Sequence, residues 1–453
     1  MTSKNNLTAE IKTASVIGVG KLGTPLLACL AYKGYQVIGV DLNPHMVKSI
    51  NEGRSPVFEP GLDQLIGKSK DRLTATHSIE SAVLNSQITF IVVATPSDAH
   101  GRFSLKYVLP ACEKIGTALK QKSDHHLVVL TSTVMPETLQ KEIAPLLEKH
   151  SGKICGREFG LCYNPEFIAL GTVIRDFLNP DFVLIGESDP ESGSALEAIY
   201  RKTCDKVPLI ARMNWVNAEI TKLSVNTFIT TKISFANTLA RICERLPGAD
   251  SQIVNSSLGL DTRIGGKYLK GAVGYGGPCF PRDTIAFSRM ASSAGVSARL
   301  AEATHKTNLE QIFFLEDLIR SKLSPGGVVG ILGLSYKPNT DVVEESQGLL
   351  LAQALIKKET PVVVYDPYAM ENVRRALHGS VQFAQSEKEC VQKADIVIIV
   401  TAWENFRHSL KPALFKCDDK NRIIIDCWRL LNSSEYCNVA DYIALGANNH
   451  TGQ

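Results

Sequence analysis

The stretch Thr13–Asp41, TASVIGVGKLGTPLLACLAYKGYQVIGVD, decides the fold. Thr13 to Ile17 reads as a short buried strand, Thr24 to Lys33 as a helix ended by Gly34, and Tyr35 to Val40 as a second strand closing on Asp41. Between the first strand and the helix lies Gly18-Val19-Gly20-Lys21-Leu22-Gly23, a G-x-G-x-x-G turn in the order strand, turn, helix, strand, acid that dinucleotide binding requires. Gly18 permits the tight turn, Gly20 lets the main chain approach a pyrophosphate, and Gly23 lets helix and strand pack closely. The helix N-terminus turns its N–H groups towards the phosphates. Asp41 follows Gly18 by 23 residues, where a carboxylate accepts from both ribose hydroxyls and repels a 2′-phosphate, which favours NAD over NADP. The competing reading is a βαβ turn with a structural role only.

Alternation of strand and helix continues from there. Ile88 to Ala94, Leu127 to Leu130, Phe159 to Cys162 and Phe182 to Ile185 read as strands. Ligands of open α/β sheets sit beyond the carboxyl ends of strands. Thr95, Thr133 and Glu166 fall at such ends, although strand-end polar residues also serve as helix caps. A second series begins after Ser324-Pro-Gly-Gly, with strands at Val328 to Leu332, Pro361 to Tyr365, Ala394 to Val400 and Arg422 to Asp426. Its first turn has no G-x-G-x-x-G, so it is expected to bind something other than a second dinucleotide.

Between the two series the pattern changes. Trp215 to Arg245 has helical periodicity without proline or glycine and would span roughly 45 Å, long enough to bridge domains or build a dimer interface. Lys222 and Asn226 lie four apart on one of its faces; a solvated polar stripe is the alternative. Ala286 to about Leu323 reads as helical again. Before it, Tyr268–Asp283, YLKGAVGYGGPCFPRD, sets Gly271, Gly274, Gly276 and Gly277 ahead of Cys279, with Asp283 four residues on. Glycine-dense backbone approaches a ligand closely, and a thiol beside it is a candidate nucleophile. A tight turn next to a buried cysteine is the competing reading.

The composition narrows the classes. Apolar content of 44% supports a substantial core, and 453 residues suggest roughly two to four domains. A formal net charge of +3 without a dense basic run gives no nucleic-acid footprint. The eleven cysteines are odd in number and scattered, with no CxxC pair, so no metal site is expected and the thiols read as reduced. The polar N-terminus does not read as a signal peptide, and no apolar run approaches the roughly 20 residues of a membrane span. A soluble cytoplasmic protein without membrane or nucleic-acid partners is expected.

Several motifs together resemble the UDP-glucose/GDP-mannose dehydrogenase family over nearly the whole chain. They are GVGKLG at Gly18, SPVFEPGL at Ser55, TSTVMP at Thr131, NPEF at Asn164, PDFVLIG at Pro180, KLSVNTF at Lys222, DTRIG at Asp261, GYGGPCFPRD at Gly274 and YKPNTD at Tyr336. The resemblance implies an α/β fold of two Rossmann-like doubly wound sheets joined by a long central helix and a helical dimerisation domain. Residues 1–212 would bind NAD, 213–323 would form the central domain with the cysteine loop, 324–445 would bind the nucleotide sugar, and 446–453 would be a disordered tail. It implies NAD-dependent four-electron oxidation of the C6 alcohol of a nucleotide sugar, UDP-glucose first, as in polysaccharide biosynthesis. Cys279 would carry the aldehyde as a thiohemiacetal and then a thioester, which water hydrolyses. Lys222 and Asn226 would stabilise the oxyanion, and Asp283, Thr133 and Glu166 would hold or activate the water. Gly18, Gly20, Lys21, Leu22, Gly23, Asp41, Thr95 and Thr133 would contact the cofactor. Phe167, Lys222, Asn226, Arg263, Tyr268, Gly276, Tyr336 and Lys337 would contact the substrate, the loop glycines through their main-chain N–H groups. Arg263 would reach the neighbouring subunit's site in a homodimer.

The chain departs from the family pattern at four places: Leu170 replaces an acid after NPEF, Glu344 replaces an arginine after YKPNTD, Pro278 replaces a serine before the cysteine, and Trp428 stands where a nucleotide-binding arginine is common, a role open to Arg429. UDP-N-acetylhexosamines, UDP-galactose and GDP-mannose are alternative substrates. A two-electron hydroxyacid dehydrogenase and a non-catalytic nucleotide-sugar sensor are the alternative functions.

Overall fold

The computed structural model describes residues 10–416 and 422–448. The chain forms two compact units, Met1–Ser224 and Val225–Gln453. The helix Trp215–Cys243 runs through both, stopping two residues short of the expected Arg245.

The first unit is built on an eight-stranded sheet ordered β3-β2-β1-β4-β5-β6-β7-β8. Its strands are β1 Thr13–Ile17, β2 Gln36–Val40, β3 Leu73–Thr76, β4 Ile88–Ile91, β5 Leu127–Leu130, β6 Gly160–Tyr163, β7 Val183–Glu187 and β8 Ile210–Met213. Every pairing is parallel except β6 with β7, where Tyr163 faces Gly186. Both faces are covered, so β4, β5 and β6 are buried at every position, which is why they read as unbroken apolar runs rather than alternating ones. The helix Gly23–Tyr32 is buried from Gly23 to Ala31 against this core. The order reverses between β1 and β4, which places the Gly18 turn at the switch point.

The second unit holds a six-stranded, all-parallel sheet ordered β11-β10-β9-β12-β13-β14. These strands are β9 Val329–Leu332, β10 Val362–Tyr365, β11 Val381–Phe383, β12 Ile396–Ile399, β13 Arg422–Asp426 and β14 Ala440–Ala444. The short edge strand β11 and the closing strand β14 were not expected from the sequence.

Two expectations for this unit are corrected. The helical stretch read from Ala286 to Leu323 is two helices, Phe280–Ser293 and Arg299–Lys322. Gly295 adopts φ 74° after the first, and Val296 N closes back onto Ala291 O, a left-handed stop that no β-carbon-bearing residue takes as readily. The expectation of disorder from Gly446 onward is also corrected at its start. Gly446 and Asn448 exchange main-chain hydrogen bonds with Ser251, Gly248 and Ala249, while 449–453 lie outside the described residues.

The second sheet repeats the steric logic of the first. Gly18 has φ +92°, and a β-carbon there would meet Val92 O at 2.8 Å; one at Gly23 would meet Gly18 O at 1.9 Å. In the second sheet Gly333 has φ +93° and a β-carbon would meet Thr401, while one at Gly348 would meet Gly333 O at 2.2 Å. The paired glycines are five residues apart in the first sheet and 15 in the second, the longer loop carrying Tyr336 to Ser346. Asp366, just past β10 as Asp41 is just past β2, accepts from the N–H groups of Leu334, Ser335, Tyr368 and Ala369, the Ser335 hydroxyl and the Trp403 indole. A carboxylate so occupied has no capacity left for a ribose, in keeping with a sheet that does not take a second dinucleotide.

Candidate active site

In the first unit, the Gly18 turn meets the requirements of a dinucleotide cradle. A β-carbon at Gly20 would have nothing within 4 Å, so the main chain there borders open space. The helix Gly23–Tyr32 begins without a side-chain cap and has no acidic residue in its first turn, its N-cap position being Leu22. Asp41 is held across the turn: Oδ2 accepts from Val19 N at 3.1 Å and Oδ1 from Asn43 N at 2.9 Å. At the neighbouring strand ends, Thr95 Oγ1 donates to Thr133 O at 2.8 Å, which ties the loops after β4 and β5 together.

Glu166, Phe167 and Lys222 come together in the same unit. Lys222 is buried, its Nζ donating to Glu166 O at 2.7 Å and standing 4.6 Å from the centroid of the Phe167 ring. Phe167 in turn packs on Phe182 at 4.8 Å between centroids. Glu166 Oε1 lies 2.8 Å from the Tyr200 hydroxyl, and burial pushes its carboxyl up to about 7, partly opposed by Tyr200 and Lys222. After NPEF, where Leu170 replaces an acid, Glu59 accepts from Gly171 N at 2.7 Å and Val173 N at 2.8 Å, so this loop is fastened by a buried carboxylate from SPVFEPGL. Neither Glu59 nor Tyr200 was singled out from the sequence. The capping potential of Glu59 depends on a helix that begins 114 residues later, and Tyr200 sits in a helix with no motif of its own.

In the second unit, Cys279 occupies the N-cap position of the helix Phe280–Ser293, with Pro281 in the first turn where its missing N–H costs nothing. Asp283 N donates to Cys279 O at 2.8 Å, closing the first helical turn. The thiol therefore sits where helix N–H groups favour negative charge. Cys279 and Cys437 are the exposed cysteines among the ten described. Burial pushes Cys112, Cys155 and Cys390 up to about 12 and Cys204 to about 11, so these thiols stay protonated. Asp283 is 1% exposed; its Oδ2 accepts from Asn226 Nδ2 at 2.7 Å, and its Oδ1 has no hydrogen-bond partner among the described residues, with Arg282 Nε at 3.6 Å. Lys222 and Asn226 are separated by about one turn of a continuous helix and so share its face.

The glycines ahead of Cys279 have a structural cause beyond ligand approach. A β-carbon would meet Ala240 at Gly271, Asn308 and Gln347 at Gly274, Glu345 O at 2.1 Å at Gly276, and the Tyr336 ring at Gly277, where φ is +82°. The Gly277 N–H donates to Glu344 O, and the Tyr275 N–H to Asn308 Oδ1. The Gly277 N–H is thus taken by the protein, which removes that glycine from the main-chain donors expected to face substrate. The main-chain carbonyl of residue 344 helps fix the cysteine loop, a contact that does not depend on the side chain there.

The remaining candidates are dispersed through the second unit. Tyr268 is exposed at φ 65°, its ring 6.3 Å from that of Phe280. Tyr336 and Lys337 are half-buried on the long loop. Arg263 is exposed and paired with Asp261 of its own turn at 2.6 Å. Arg429 is committed to Asp250 at 2.6 Å and Leu445 O at 3.0 Å, and the Trp428 indole to Val400 O at 2.7 Å, which leaves Arg429 poorly placed to replace a nucleotide-binding arginine.

A dinucleotide cradle at the switch point of one doubly wound sheet, with a second α/β sheet in the other unit, defines a dinucleotide-dependent oxidoreductase. The chain matches the UDP-glucose/GDP-mannose dehydrogenase family in three domains: the NAD binding domain at residues 12–204, the central domain at 216–310 and the UDP binding domain at 330–433. It is 37% identical over 427 residues to the UDP-glucose 6-dehydrogenase AglM of Haloferax volcanii, covering 93% of this chain and 97% of that protein. It is 36% identical over 371 residues to the GDP-mannose 6-dehydrogenase of Pseudomonas aeruginosa, covering 81% and 83%. The solved UDP-glucose dehydrogenase of Pyrobaculum islandicum superposes with a TM-score of 0.87 at 33% identity, over 97% of this chain and 98% of that one. The chain belongs to the UDP-glucose/GDP-mannose dehydrogenase family, and NAD is its cofactor.

Proposed function

We propose that this protein oxidises the C6 primary alcohol of UDP-glucose to the carboxylate of UDP-glucuronate, through a thioester on Cys279. The reading rests first on Cys279, an exposed cysteine at the N-cap position of a helix with the buried Asp283 one turn along. The near full-length likeness to UDP-glucose dehydrogenases supports the choice of sugar. The likeness to a GDP-mannose 6-dehydrogenase keeps GDP-mannose as the second candidate.

NAD, held by Gly18, Gly20, Lys21, Leu22, Gly23, Asp41, Thr95 and Thr133, supplies the hydride acceptor for each of two oxidations. The Cys279 thiolate adds to the C6 aldehyde carbon, forming a C–S bond, while the Lys222 ammonium and the Asn226 amide carry the charge developing on oxygen. After the second oxidation, water attacks the thioester carbon and the C–S bond breaks, returning the thiolate. Asp283 or Glu166 accepts the water's proton and Thr133 helps to orient it. Alcohol, two NAD⁺ and water thus give carboxylate, two NADH and three protons. Phe167, Tyr268, Gly276, Tyr336 and Lys337 are assigned to substrate binding.

The assembly is read as a homodimer with Arg263 reaching the partner's substrate. Phe228, Phe235 and Ile242, at seven-residue intervals on the central helix, are 66%, 53% and 48% exposed, an apolar seam that supports a helix partner. A cytoplasmic location fits ten described cysteines that are all free. Supply of uronic acid for polysaccharide biosynthesis fits the product.

The test is NADH release over UDP-glucose, UDP-galactose, UDP-N-acetylhexosamines and GDP-mannose, counted per sugar oxidised. Two NADH per sugar with UDP-glucose preferred is the expected result. One NADH per sugar, or full turnover by Cys279→Ser, overturns the mechanism; no NADH with any sugar points to the binding-protein reading.

A further inference from the structure

Asn164 opens the NPEF motif, is 1% exposed, and its amide is oriented by the main chain: Nδ2 donates to Leu184 O at 2.9 Å. Turned over, the amide would set Oδ1 against that carbonyl oxygen. Oδ1 therefore faces the Tyr200 hydroxyl, 2.6 Å away. The same hydroxyl lies 2.8 Å from Glu166 Oε1. A phenol has one proton and here meets two acceptors. When the phenol proton goes to Asn164, the second pair is bridged by a proton of the neutral Glu166 carboxyl. With Glu166 protonated, the hydrogen bonds run in one direction, from Glu166 to Tyr200, from Tyr200 to Asn164, and from the Asn164 amide to Leu184 O; with Glu166 ionised, the Tyr200 hydroxyl donates to it instead.

We propose that Tyr200 is a positioning residue acting as a proton rotor: its hydroxyl donates to Asn164 while Glu166 is an acid, and swings to donate to Glu166 once the carboxyl ionises. The proposal rests on the reading of Glu166 as a group serving the thioester hydrolysis. Loss of the Glu166 proton costs Asn164 its donor, so Asn164 opposes ionisation while Tyr200 supports it. Burial holds Tyr200 itself well above its ordinary range, so the phenol keeps its proton throughout. Burial likewise places Glu166 at about 7. The other groups facing Glu166 are the Lys222 ammonium, which favours its ionised form, and the buried Cys29 and Cys204 thiols, which burial keeps neutral. The arrangement suits a group that must hold a proton in one step and accept one in another at near-neutral pH.

The two partners then have opposite effects. Tyr200→Phe removes the donor to the carboxylate and should raise the Glu166 titration by about one unit, whereas Asn164→Leu frees the tyrosine proton for Glu166 and should lower it by about as much. The measurement is a pH titration of the protonated-carboxyl infrared band in the unliganded full-length protein, the band being assigned by its loss in Glu166→Gln. Opposite shifts support the rotor. Shifts of one sign, or none, overturn it. Should Asn164→Leu fail to fold, Tyr200→Phe alone decides, since anything other than an upward shift overturns the proposal. Turnover of Glu166→Gln separates the two layers. Undiminished turnover removes Glu166 from the hydrolysis and with it the catalytic purpose of the rotor, while an inactive variant with an unmoved Tyr200→Phe titration sinks the rotor and leaves the catalytic reading standing.

Discussion

Asn226 Nδ2 donates to Asp283 Oδ2 at 2.7 Å, with both side chains at or below 7% exposure. The amide is the right partner for a carboxylate in that position because it supplies a proton without adding charge. Asn226→Asp puts a second carboxyl against the first, and like charges so close cannot both ionise without large cost. The variant should be destabilised by about 2 kcal/mol or more, whereas Asn226→Ala, which only removes the donor, should lose less. Thermal melts of the two variants check this; a smaller loss for Asn226→Asp than for Asn226→Ala would refute the argument.

The glycines of the first turn give a second contrast. A β-carbon at Gly20 enters open space, whereas one at Gly23 meets Gly18 O at 1.9 Å. Gly20→Ala should therefore keep a melting temperature close to wild type and lose NAD affinity by about tenfold or more, because the methyl group occupies the approach to the pyrophosphate. Gly23→Ala should be destabilised by roughly 2 kcal/mol or more, since the clash is with main chain. Melting curves and NAD titration of both variants distinguish the roles; a Gly23→Ala protein as stable as wild type would refute the packing argument.

These glycines also mark what could be read from the sequence. The first turn was legible because Gly18, Gly20 and Gly23 act within one local loop between a strand and a helix that announce themselves. Gly333 and Gly348 do the same steric work as Gly18 and Gly23, but the 15-residue separation hides them from any short motif. Cys279 stood out beside its glycines, yet the reason for Gly276 and Gly277 lies in Glu345 and Tyr336, some 60 to 70 residues on. Tyr200 escaped notice because its meaning comes entirely from tertiary contacts with Asn164 and Glu166. The break at Gly295 was missed because apolar periodicity continues on both sides of it.

The apolar seam of the central helix bears on assembly. Phe235, the middle residue of the Phe228, Phe235 and Ile242 series, exposes half its surface. Phe235→Asp places a charge in that seam, where burial in a partner interface would cost several kcal/mol. Light scattering after gel filtration should show the wild type as a dimer or larger and the variant shifted to monomer, with an unchanged far-ultraviolet spectrum. A wild-type monomer, or a variant that assembles normally, would remove the seam from the interface.

Glu166 makes stability itself depend on pH. Burial raises its carboxyl from an ordinary 4.5 to about 7, so between those values the folded chain holds a proton that the unfolded chain has released. This stabilising contribution is complete below about 4.5 and is lost as pH rises through about 7, the reverse of a salt-bridged carboxylate. Glu166→Gln retains the shape of the neutral acid and cannot ionise. Its stability relative to wild type should therefore increase between pH 5 and pH 8, reaching at most about 3 kcal/mol, and level off above that. Urea unfolding of the two proteins across this range measures the difference directly. A constant gap would show that Glu166 is as readily ionised in the folded chain as in the unfolded one.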